Sequence, residues 1–165
     1  MSGKGRSAPR PVAGARARRG PAAAAALFHE AVERAMQGFA FDAIHLFQDA
    51  IAADPKGDLA DDALFNVGTT YLRMRLVADA EQAFTELIER FPESTIASVA
   101  SPSQEHGRTA AKALLGRMQA RLAQGNVEGA RSDLDALSAY EDSWVVDPAG
   151  RRRTYAELAR AILGD

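Results

Sequence analysis

The chain has 165 residues, 47% apolar and 25% charged, the balance of one ordinary globular domain with enough apolar material to bury a core. It has no Cys, which excludes a disulfide framework, thiolate metal ligation and a Cys nucleophile, and no run approaches the roughly eighteen apolar residues of a membrane span. A net charge of -2 conceals an asymmetry: Lys4, Arg6, Arg10, Arg16, Arg18 and Arg19 precede the first acid, and the remaining 14 Lys and Arg face 22 Asp and Glu, so a basic arm is joined to an acidic body of about -8.

Residues 1–21 are rich in Pro, Gly and Ala and cannot bury enough apolar surface to fold alone, so a disordered basic arm is predicted. The apolar run Ala22 to Phe28 is short for an export signal and flows directly into a patterned helix. The expectation is a cytoplasmic protein. An Arg-rich, acid-free start also suits an organellar transit peptide, although Ser2 and Ser7 are its only serines.

From residue 22 the chain repeats itself. Ala43, Phe47, Ala50 and Pro55 recur as Ala80, Phe84, Leu87 and Pro92, a constant offset of 37. Ala80, Ala83, Phe84, Leu87, Ile88 and Phe91 form one stripe on a 3.6-residue helix, and Ala43, Leu46, Phe47, Ala50 and Ile51 repeat it. Upstream, Leu64, Val67, Gly68 and Tyr71 share a face of a partner helix. Short turns at Gly38-Phe39 and Leu76-Val77 make each pair of helices antiparallel neighbours. Gly68, lacking a side chain, lets the second helix approach closely, and Pro55 and Pro92 end the second helices. Units are predicted at 24–57, 61–94 and 111–142, the last shifted by about 13 inserted residues. Within the insertion, Ser101, Pro102 and Gln104 suit a helix N-terminus, which predicts a long helix from about Pro102 to Gln124 with Gly107 and Gly116 as weak points. At the end, Thr154 and Glu157 form a capping-box pattern ahead of a helix stopped by Gly164, a terminal cover over 154–163 for the last hairpin.

Leu64, Val67, Gly68, Tyr71, Ala80, Phe84 and Pro92 resemble the tetratricopeptide repeat. The first unit keeps Leu27, Ala31, Ala43, Phe47 and Pro55 but has Arg34 where the family has Tyr. In the third, Leu114, Ala130 and Leu134 fit, while Met118 and Arg121 replace Gly and Tyr and no Pro closes the unit. The resemblance implies an all-α fold, a right-handed superhelical solenoid of about three hairpins plus a capping helix. The stretch from Phe41 to Leu72 is also similar to repeats of bacterial envelope-coordination proteins, the periplasmic Tol-Pal factor and the outer-membrane assembly lipoprotein.

The family's geometry places Phe28, Val32, Met36, Phe65, Asn66, Thr69, Leu72, Arg73, Lys112, Leu115, Gln119 and Leu122 in a concave groove suited to a partner helix or extended peptide. Asn66 and Arg73 match two positions of the carboxylate clamp found in some members, but the first unit offers Ala31 and Met36, so that specificity is not expected. The basic arm is a second candidate surface, for nucleic acid or anionic lipid. Apolar surface at the ends of a short array makes homo-oligomerisation a further expectation.

Chemistry is thinly represented. His29, His45 and His106 form no close helical pair, so no metal site and no cofactor are expected. Phosphate-loop, dinucleotide-loop and nucleophile-elbow motifs are absent from the sequence. Asp61, Asp62, Asp133 and Asp135 read as acids at helix starts rather than a paired-carboxylate site, Arg151 to Arg153 as a solvated loop or else a second basic cluster, and Trp144 as packing between the cap and the third hairpin rather than an anchor for a partner. No catalytic residues are expected, and the reading is a non-enzymatic scaffold.

Overall fold

Apolar stripes of helical period bury themselves in pairs. The computed structural model describes residues 18–96 and 104–165. In it α1 (Pro21–Met36) pairs with α2 (Ala40–Ala53), α3 (Ala60–Arg73) with α4 (Val77–Arg90), and α5 (Thr109–Ala123) with α6 (Val127–Leu137). Successive hairpins stack through α2 on α3 and α4 on α5, giving an all-α array of helical hairpins. A small sheet is added to this array: β1 (Glu105–His106), which precedes α5, pairs with β2 (Trp144–Val146), and β2 pairs with β3 (Arg152–Thr154), all antiparallel, before α7 (Tyr155–Leu163).

All three hairpins turn the same way. Gly38, Arg75 and Gly125 occupy the left-handed region, with φ of 86°, 65° and 77°. The next residues, Phe39, Leu76 and Asn126, share φ near -84° and ψ between 68° and 76°, and each donates its N–H five residues back, to Arg34, Tyr71 and Arg121. That bond satisfies a carbonyl orphaned at the end of the first helix. The third unit, weakest in sequence, is therefore as regular in its turn as the second.

Phe84 is the central packing residue, fully buried, with Gly68 of α3 on one side and Gly116 of α5 on the other. A Cβ at Gly68 would lie 2.6 Å from the Phe84 ring, and one at Gly116 would lie 2.5 Å from it. The expectation for Gly68 is met. Gly116 is not a weak point in a long helix but the place where the third hairpin closes over the second.

The junction of α4 with α5 is ionic. Arg117 and Arg121 stand fifty residues beyond Val67 and Tyr71, and both reach side chains of α4 in the preceding hairpin. Arg117 bonds Asp133 at 2.8 Å and Thr85 at 3.2 Å, and Arg121 bonds Asp133 at 3.0 Å and Glu81 at 2.9 Å. Asp133 is 1% exposed. It lies inside α6 as the hub of a buried network, not at a helix start. The Arg121 guanidinium also holds the Glu81 carboxyl below its ordinary range.

Several local expectations change around the sheet. Helix α5 begins at Thr109, not near Pro102, because Glu105 and His106 pair with β2 and Gly107 (φ 110°) packs against Ser143. Ser101 and Pro102 lie outside the described residues. Arg151 to Arg153 are a solvated loop only in part: Asp147-Pro148-Ala149-Gly150 makes a turn closed by Gly150 N–H to the Asp147 carbonyl at 2.8 Å, exposed Arg151 follows it, and Arg152 and Arg153 lie in β3. Arg151 pairs with Asp147, Arg153 approaches Glu157, and Arg152 lies 3.8 Å over the Trp144 ring. Trp144 faces Arg152 and His106, and its neighbour Val145 takes the core position instead. Thr154 and Glu157 form a reciprocal capping box, Gly164 ends α7 at φ 80°, and Tyr155, Ala156 and Ala159 pack on Leu114, Met118 and Leu137.

Candidate interaction face

The first helices of the hairpins set one face of the array. On α1, Phe28 is half-buried edge-on to Phe47 with ring centroids 5.3 Å apart, Val32 is half-buried against the core, and Met36 is 84% exposed. Leu72 on α3 is also half-buried against the core, and Leu115 and Leu122 on α5 stand in the same relation to the second core cluster. Arg73 and Gln119 are exposed. These residues split two duties, since the inner part of each apolar side chain packs and the outer part stays at the surface.

Asn66 and Thr69 turn their donors inward. The Asn66 amide donates to the Asp62 carbonyl at 2.8 Å, and the Thr69 hydroxyl donates to the Asn66 carbonyl at 3.1 Å, each within α3. Such local bonds satisfy the side chain on its own helix.

At the α3–α5 junction the face becomes charged. Asp61 is buried and accepts from the Thr109 hydroxyl at 2.9 Å, which ties the start of α3 to the start of α5. Asp62, the next residue, makes no ion pair among the described residues. Burial, and then the Asp61 carboxylate, push its carboxyl up to about 6 against the pull of Lys112. Lys112 places its ammonium 3.1 Å from Glu105 and 4.5 Å from the Phe65 ring centroid, while Phe65 leans on Phe84 at 5.9 Å. The resemblance to the tetratricopeptide repeat names Phe65 and Lys112 as groove positions. It gave no means to find Glu105, which arrives from β1, or the half-buried state of Asp62.

Lys4, Arg6, Arg10 and Arg16 of the arm lie outside the described residues, and Arg18 and Arg19 are exposed just ahead of α1. Among the described residues no group of three His, Asp or Glu is arranged to hold a metal ion, and no helix is long and apolar enough to cross a membrane.

The hairpin geometry and the signature side chains agree with a comparison against protein families. Residues 62–94 match the tetratricopeptide repeat. The matched span is α3 and α4, the hairpin that carries Gly68, Tyr71, Phe84 and Pro92. Repeats of this family mediate protein–protein interactions. No curated protein matches the chain.

Proposed function

We propose that the chain is a non-enzymatic scaffold that holds a helix or extended segment of a partner protein against the first helices of its hairpins. The observation that carries this reading is the tetratricopeptide hairpin at 62–94 flanked by two hairpins of the same turn geometry, with half-buried apolar side chains left at the surface of α1, α3 and α5. Stacked hairpins generate a continuous surface for such a segment. The groove residues are those on α1, α3 and α5, and a cytoplasmic setting and self-association belong to the same proposal. A relation to bacterial envelope-coordination proteins rests on sequence likeness over Phe41 to Leu72 alone.

A second reading comes from the charge asymmetry: the arm tethers the chain to nucleic acid or an anionic surface. Capture from extract of the source cells separates the two, using the full chain, a chain beginning at Pro21, and the full chain with Leu72→Asp and Gln119→Lys. The scaffold reading expects one protein recovered by the first two, lost by the third, and little affected by added salt. Recovery that requires residues 1–20 and collapses with salt would replace it with the tether.

A further inference from the structure

We infer that the open face of the first hairpin is a self-recognition surface, on which a second copy of the chain packs two-fold against α1 and α2. This rests on the self-association in the reading above and names the surface that carries it. The chain holds two occupied versions of the same face. Ala23, Ala26 and Leu27 on α1 recur 37 residues on as Ala60, Ala63 and Leu64, and fifty further as Ala110, Ala113 and Leu114. Both later sets are buried, where α2 packs on α3 and α4 on α5. In the first set Ala26 is exposed and Ala23 and Leu27 are half-buried, since among the described residues no hairpin stands in front of α1. Asp49, Ala52 and Ala53 of α2 form the other wall of the groove left open there.

Arg34 supplies an independent observation. It holds the position at which Arg121 of the third hairpin reaches Glu81 of the second. In the first hairpin its guanidinium rests 5.8 Å over the Phe39 ring and makes no ion pair among the described residues. Charge then selects the occupant. The face presents Arg18, Arg19 and Arg34 beside Glu30, Glu33 and Asp49, a balanced set, whereas the rest of the chain from residue 22 on has an excess of acids. A balanced face is complementary to itself under a two-fold, because cations of one copy are set against acids of the other. A partner of one sign would meet repulsion from half of it. At the far end of the array Tyr155, Ala156 and Ala159 of α7 cover the last hairpin, so head-to-tail stacking finds no second open face. One sixteen-residue helix long and two helices wide, the face measures about 24 Å by 20 Å. Two such faces bury about 1,000 Å² in total, the lower end of specific interfaces, so a dimer with a Kd in the micromolar range is expected.

The test is the mass of the full chain by sedimentation equilibrium over a concentration series, with two charge sets checked for helical content. One set is Arg18→Glu, Arg19→Glu and Arg34→Glu; the other is Glu30→Lys, Glu33→Lys and Asp49→Lys. Wild type is expected to pass from monomer to dimer mass, each set alone to stay monomeric, and an equimolar mixture of the two sets to recover the dimer. Ala26→Gln, at an exposed position where the longer side chain blocks close approach, should weaken the dimer about tenfold without loss of helix. Wild type that stays monomeric would overturn this inference, while capture of a partner that is lost with Leu72→Asp would leave the scaffold reading standing. If that monomer dimerises once residues 1–17 are removed, the chain's own arm is the occupant and the choice of a second copy is wrong. Capture of a different protein that is lost with Ala26→Gln would assign the face to that protein instead. A dimer that survives in both charge sets would move the contact to another face, and a mixture that fails to associate would overturn the two-fold pairing.

Discussion

Replacing Asp133 with Ala removes the acceptor that two arginines share across the α4–α5–α6 junction. Arg117 gives it two nitrogens, at 3.1 and 2.8 Å, and Arg121 gives one at 3.0 Å. Breaking one side of a buried ion pair costs about 3–5 kcal/mol, because the remaining charge stays desolvated without compensation. Here the arginine side chains are 15% and 19% exposed, which lets the freed guanidinium groups reach some water, and Arg121 keeps Glu81. The lower end of the range, about 3 kcal/mol, is therefore expected. For a chain of this size that corresponds to a fall in Tm of about 6–12 °C. Urea denaturation followed by circular dichroism reads the loss directly, with Asp135→Ala, an exposed acid two residues on, as the control. A loss within about 1 kcal/mol of that control would refute the account of the junction as a buried hub. The combination Arg117→Val, Arg121→Tyr and Asp133→Leu restores the apolar pattern of α3 and is expected to recover most of the loss, since an apolar replacement of a whole buried network is often neutral or better.

Gly116→Ala raises helix propensity by about 1 kcal/mol in isolation, yet here it is expected to lower the urea midpoint because the new methyl meets Phe84 at 2.5 Å. Adding Phe84→Leu should remove that penalty, and a double-mutant cycle without coupling would contradict the packing described. Gly125→Ala is expected to cost about 1 kcal/mol by forcing a side chain into the left-handed region, whereas Arg75→Gly, at the equivalent turn, leaves stability unchanged or raises it. Asp62 has a folded-state pKa raised from 3.8 to about 6, so the folded state holds its proton more tightly and the group's contribution to stability is present below 3.8 and lost as pH rises through about 6. Asp62→Asn should therefore stabilise the chain at pH 7.5 and change it little at pH 4, as measured by paired urea titrations; an equal effect at both pH values would count against the raised pKa.

The helical hairpins were legible because their signals are local and periodic. The 37-residue offset, the apolar stripes of α2 and α4 and the Gly68 contact follow from side chains a few turns apart, and the capping box of α7 needs only Thr154 and Glu157. One signal could have revealed the sheet as well: Asp147-Pro148-Ala149-Gly150 is a turn sequence between Val145-Val146 and Arg152-Arg153, and it fixes a hairpin by the same local chemistry. What the amino-acid sequence determined by itself was thus the period, the turns and the apolar face of each helix, since these depend on backbone preference and spacing along one element. Tertiary structure alone decided the rest. Arg121 looked like a loss from the repeat signature until Asp133 was brought to it from α6, and Gly116 looked like a weak point until Phe84 arrived from α4. Glu105 reaches Lys112 only because β1 pairs with a strand 39 residues downstream. In each case the energy belongs to a pair drawn from two elements, and no property of either residue alone states it.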